Sequence, residues 1–172
     1  MKSTKKLALA SIFTALSVIV LFVGSVFQTL DLSAAAFASL IILVAFIELG
    51  KGWSFGVYLA VSVISLLILP YKVAALIFAT FAGFYPIVKE PLNRIKPIWL
   101  SYTARIACFN IFLAIFIYLA KEFFGLQEEF GGFTAVICIL ANVTFVVFDL
   151  ALERISVYYV QKLKSILFGK RY

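Results

Sequence analysis

Histidine is absent from the chain, cysteine occurs twice, methionine once, and only 13% of the residues are charged. Without histidine, and with Cys108 and Cys138 each inside an apolar run, neither a Cys/His metal site nor a disulfide framework is expected. The two thiols read as small apolar side chains. No H-E-x-x-H, no G-x-S-x-G and no phosphate-cradling G-x-x-x-x-G-K-[ST] loop occurs, so the chain is not expected to be an ATPase, and an enzyme is the weakest of the functional readings. Acidic residues are also few, eight against fifteen basic ones, for a net charge of +7. The basic residues lie between and after apolar runs instead of interleaving with exposed aromatics, which argues against nucleic acid as a partner.

What is present is hydrophobic: 65% of 172 residues, with a mean hydropathy of +1.12. A soluble domain has roughly 45–50% apolar residues. About 20 apolar residues cross a hydrocarbon core about 30 Å thick, so the length accommodates about six spans and no soluble domain beside them. The sequence thus predicts an all-α, polytopic integral membrane bundle, a single domain over 1–172 with spans near 7–27, 32–49, 53–69, 73–88, 98–120 and 133–152 and a basic tail over 153–172. The opening MKSTKK and its apolar run mimic a signal peptide. The run reaches Phe27, too long for such a segment, and lacks an A-x-A site, so it reads as the first span.

Small residues mark the faces along which membrane helices approach one another. The first span repeats Ala10, Thr14, Ser17, Gly24 and Gln28 at helical spacing, and Gly52, Gly56 and Ala60 form a G-x-x-x-G-x-x-x-A series that predicts a close hairpin of spans two and three. In span four, Lys72, Ala75, Ala79, Ala82, Gly83 and Pro86 share one face, leaving Phe78, Phe81, Phe84 and Tyr85 for a bulky face suited to lipid. The proline-bounded stretch KEPLNRIKP, Lys89 to Pro97, reads as a loop that ends that helix. Beyond span six, the tail can lie along the membrane surface as an amphipathic helix.

Lys and Arg collect on the cytoplasmic side of membrane proteins. With the N-terminus inside, thirteen fall on that side and only Lys72 and Lys121 outside, so both termini are expected in the cytoplasm of a cell-membrane protein. Ionisable and amide side chains within spans are costly unless paired, about 2.5–3.5 kcal/mol for Asp, Lys or Arg. Arg105 and Asp149 are expected as an intramembrane ion pair, with Glu48 a second partner for Arg105 or a solvated helix-end charge. Asn110 and Asn142 serve interhelical bonding or ligand contact. Lys72, with Gln28, Asp31 and Tyr71 as neighbours at the outer mouth, either meets an anionic ligand or reaches lipid headgroups.

The opening KKLALASIFTALSVIVLF, the span-four sequence LPYKVAALIFATFAGFYPIVK, the short length and the six-span pattern together resemble the substrate-binding S components of energy-coupling factor transporters and small bacterial membrane proteins placed near them. The resemblance implies capture of a micronutrient from the outer side and docking on a transmembrane coupling protein driven by two ATPase subunits. It places docking on small residues of the first helix, often A-x-x-x-A. Here Ala10, Ser11, Thr14 and Ala15 supply A-x-x-x-T and S-x-x-x-A instead. No cofactor is expected. The competing expectation is a structural or assembly protein whose small and polar stripes serve only packing.

Overall fold

Apolar runs whose backbone groups must be satisfied within the segment fold as helices. The computed structural model describes residues 3–27, 29–93, 96–124 and 134–163, and no strand occurs among them. The chain runs through α1 (Ser3–Phe27), α2 (Asp31–Leu49), α3 (Lys51–Ile68), α4 (Val73–Ile77), a π-helical turn (Phe78–Ala82), α5 (Tyr85–Asn93), α6 (Ile98–Phe124) and α7 (Thr134–Tyr158), which closes in a second π turn, Tyr159–Leu163. Among the described residues, five segments are long and apolar enough to cross a membrane: α1, α2, α3, the compound segment Val73–Asn93, and Trp99–Leu119 within α6. The outer surface exposes large apolar side chains such as Ile12, Val63, Leu67, Ile111 and Val147. Contiguous apolar surface on that scale belongs in lipid or against a partner.

The core forms around α2, whose Ala35, Ala38, Ile42 and Ala45 are wholly buried and which packs against α1, α3, α4, α5 and α7. Its closest neighbour is α1. A Cβ built on Gly24 would stand 2.2 Å from the Cβ of Ala34, so the two backbones meet where only hydrogen fits. At the other end of α2 the chain reverses through Gly50, whose φ of 86° is readily adopted only by glycine.

The hairpin of α2 and α3 does not use the glycine series. Nothing lies within 4 Å of a Cβ added at Gly52 or Gly56. The helix instead buries Ser54, Val57, Val61 and Ser65, the neighbouring stripe, and leaves Gly56 and Ala60 facing outward into a groove.

The segment over 73–93 departs from expectation on its aromatic side. Its aromatic side is inside: Phe78 and Tyr85 are buried, and the Phe81 ring lies 4.8 Å from Tyr85, 5.0 Å from Phe109 and 5.6 Å from Phe145. Its small side is inside as well, with Ala75, Ala82 and Gly83 buried and Ala79 half-buried. A Cβ on Gly83 would sit 2.6 Å from the Phe78 ring and 2.7 Å from Tyr58. The cause is the π turn. Gly83 N–H donates to Phe78 O at 2.8 Å, five residues back, so the Ala79 carbonyl loses its usual donor and accepts the Tyr58 hydroxyl at 2.6 Å. One extra residue enters the helix, and everything after it is offset by a position from the uninterrupted helical wheel.

Nor does the helix stop at Lys89. It continues to Asn93 with Pro91 inside, and the hydroxyl of Ser101 at the start of α6 donates to the Leu92 carbonyl at 2.8 Å, satisfying part of the frayed end. Similarly, α7 and its π turn absorb the beginning of the basic tail. Most of the loop expected over 121–132, and residues 164–172, lie outside the described residues.

Candidate functional site

Three helices each bring two polar side chains, one turn apart, to the same end of the bundle: Tyr85 and Lys89 from α5, Ser101 and Arg105 from α6, Asp149 and Glu153 from α7. Residues four apart share a helix face, so each pair projects together. At the centre is the Asp149 carboxylate, 4% exposed. Its Oδ1 accepts the Tyr85 hydroxyl at 2.5 Å and lies 2.6 Å from Lys89 Nζ, while Oδ2 takes Arg105 Nη1 at 2.8 Å. Lys89 also donates to the Asp149 carbonyl at 2.5 Å. Arg105 Nη2 reaches Ser101 Oγ at 3.1 Å, its guanidinium lies 4.5 Å above the Tyr102 ring, and its Nε is buried without a hydrogen-bond partner.

The charges do not cancel within the inner shell. Lys89 and Arg105, each 6% exposed, share one buried aspartate. The second negative charge is Glu153, whose Oε2 stands 3.9 Å from Lys89 and 4.0 Å from Arg105, ion-pair range but too long for hydrogen bonds. Its side chain is 47% exposed. Asp149 thus accepts from three side-chain donors, whereas Lys89 commits two donors to Asp149 and keeps a third.

Arg105 and Asp149, expected as partners, are in direct contact. Lys89, Tyr85, Ser101 and Glu153 complete their surroundings, and a sequence reading that ends the helix before Lys89 does not reach them. The spacing of four residues within each pair is the signal that finds them. Glu48 is engaged elsewhere than with Arg105: the Tyr159 hydroxyl donates to it at 3.4 Å, tying α2 to the π turn after α7.

Asn110 and Asn142 meet each other. Asn110 Nδ2 donates to Asn142 Oδ1 at 2.9 Å and Asn142 Nδ2 returns a bond to Asn110 Oδ1 at 3.2 Å, while each amide also donates to the carbonyl four residues back, Ile106 and Cys138. Beside them Phe109 and Phe145 stack at 4.5 Å. Interhelical amide pairs in membranes contribute about 0.6–2 kcal/mol. A double-mutant cycle of Asn110→Leu and Asn142→Leu, read by thermal unfolding in detergent, is expected to return a coupling energy of about that size.

The residues expected at an outer mouth make contacts of their own. Lys72 Nζ donates to the Leu69 carbonyl at 2.6 Å, neutralising a carbonyl left open where Pro70 ends α3. The Tyr71 ring is half-exposed, and its backbone exchanges two hydrogen bonds with the buried Ser25 hydroxyl, at 2.8 Å and 3.1 Å, which joins the end of α1 to the start of α4. Asp31 opens α2, where its charge meets the positive end of the helix dipole. Gln28 lies outside the described residues.

The small residues of the first helix do share a surface. Ala10, Ser11, Thr14 and Ala15 line one wall of a groove of about 640 Å³, and Gly56 and Ala60 of α3 line the other. The hydroxyls of Ser11 and Thr14 bond back to Leu7 and Ala10 carbonyls, at 3.0 Å and 2.9 Å, so they present little polarity to an occupant. Ala75, Ala79 and Gly83 instead belong to the interior.

Fold and site define a helical bundle of membrane-crossing composition, pinned at one end by a buried ionic cluster and grooved along α1 and α3. In comparison with known proteins, the chain matches no family model, no curated protein and no solved structure.

Proposed function

We propose that the chain is the membrane-embedded substrate-binding subunit of an energy-coupling factor type transporter. It crosses the cell membrane six times, keeps both termini in the cytoplasm, takes a small micronutrient from the outer side, and acts by binding, with ATP hydrolysis supplied by two other subunits. The observation that carries the reading is the groove between α1 and α3. Two facing walls of small, self-satisfied side chains admit the close approach of another membrane helix, which is what docking on a transmembrane coupling protein requires. Substrate contact through Lys72, Asn110 or Asn142 would make each of them exchange a bond it already holds.

Gentle purification followed by native mass spectrometry is expected to show a retained small molecule and, on pull-down, a coupling protein with two ATPases. Ala15→Trp, at an exposed position of the groove, should remove the partners while leaving the unfolding temperature unchanged. Repeated absence of ligand and ATPases, with uptake unaffected by Lys72→Ala, Asn110→Ala and Asn142→Ala, favours the second reading: a structural or assembly protein. The reciprocal amide pair and the three side-chain donors gathered on Asp149 support that alternative.

A further inference from the structure

The ionic cluster leaves its end of the bundle open on one side. A cavity of about 370 Å³ lies between α2, α5 and α7, with an apolar floor that includes Leu43, Ile47 and Val157. Lys89, Glu90 and Glu153 supply its charges. Lys89 is the buried cation with a donor to spare, and the two glutamates are exposed. A buried cation beside the exposed Glu153 carboxylate, over an apolar floor, is the complement of a molecule carrying an anionic group, an ammonium group and an aliphatic chain. Trp99, Tyr102 and Tyr158 are exposed at this same end, and such rings settle at headgroup depth in a bilayer.

We propose that this cavity seats the headgroup of an aminophospholipid, with the phosphate on Lys89, the ammonium on Glu153, and an acyl chain running along Leu43, Ile47 and Val157. The volume lies near the lower end of the roughly 300–1,000 Å³ typical of small-molecule sites. It holds a headgroup and the start of a chain, and the remainder lies against the apolar outer surface. The phosphate completes the donor set of Lys89 with a charge-assisted bond. The ammonium takes Glu153, which now reaches both buried cations only at long range. The inference requires the bundle to sit in a bilayer and is independent of the transport reading.

The test uses the full chain in detergent, offered equal amounts of phosphatidylethanolamine, phosphatidylglycerol and phosphatidylcholine with identical acyl chains, and read by native mass spectrometry. Phosphatidylethanolamine is expected to be retained about tenfold over the other two, the factor one charge-assisted hydrogen bond supplies. Glu153→Gln should bring the three lipids to parity. Val157→Trp, which fills the cavity from a half-exposed position, should lower retention of phosphatidylethanolamine without touching the buried ion pairs. Equal retention of the three lipids by the unaltered chain, preference for phosphatidylglycerol, or an ethanolamine preference that survives Glu153→Gln would each overturn the proposal. So would competition by soluble phosphoethanolamine as effective as the lipid itself, which would point to a water-borne ligand.

Discussion

Asp149→Ala is expected to cost about 3–5 kcal/mol of stability, because it strands two buried cations at once. Lys89 and Arg105 are 6% exposed, and Glu153 stands too far from either to replace the lost carboxylate without moving into the interior. Asp149→Asn should cost nearly as much: the amide keeps an acceptor for Tyr85 but no charge. Removing all three charges is another matter. In Lys89→Met/Arg105→Met/Asp149→Leu, apolar side chains of similar size fill the same space, and replacements of this kind are often neutral or stabilising. The measurement is unfolding in detergent, followed by the reactivity of Cys108 and Cys138, which are free and half-buried. A single Asp149→Ala variant as stable as the unaltered chain would falsify the view that the cluster holds α5, α6 and α7 together. A stable triple variant that loses uptake would show that the charges matter for function beyond the fold.

Gly24→Val should have a comparable effect through sterics alone. The site has no room even for a methyl group, whose carbon would stand 2.2 Å from Ala34 Cβ. Overpacking of this kind costs about 1–3 kcal/mol and sometimes more, since α1 must be lifted from α2 along its length. The control is an exchange of sides. Ala34→Gly removes the atom that the new side chain meets, so Gly24→Ala/Ala34→Gly is expected to recover most of the stability that Gly24→Ala loses. If the exchange recovers nothing, the clash is not the reason glycine stands at 24. By contrast, Gly56→Ala, where nothing lies within 4 Å, should leave unfolding unchanged.

These positions also mark what could be read from the sequence alone. The helical class and the pairing of Arg105 with Asp149 were legible because a charge in an apolar run has few ways to be satisfied. The face used by α3 was not, since G-x-x-x-G states that a close approach is possible without naming a neighbour, and the close approach falls instead between Gly24 of α1 and Ala34 of α2. Lys89 was hidden by Pro91. A proline two residues on is the usual sign of a helix end, yet α5 carries it inside. With Lys89 assigned to a loop, the pair Tyr85 and Lys89 could not be seen. The burial of Phe78 and Phe81 was lost for another reason: one face had to point to lipid on an isolated wheel, but this helix is enclosed on both sides.

The π turn at Phe78–Ala82 therefore acts as a phase setting for the whole molecule. Upstream of it, α4 is registered to the alanines of α2; downstream, α5 is registered to the charges of α6 and α7. A continuous α-helix over the same residues, with no π turn, would hold the first register and turn Tyr85 and Lys89 about 100° away from Asp149. Its single inserted residue is what allows one helix to serve two differently oriented halves, and the Tyr58 hydroxyl on the freed Ala79 carbonyl keeps that offset locked.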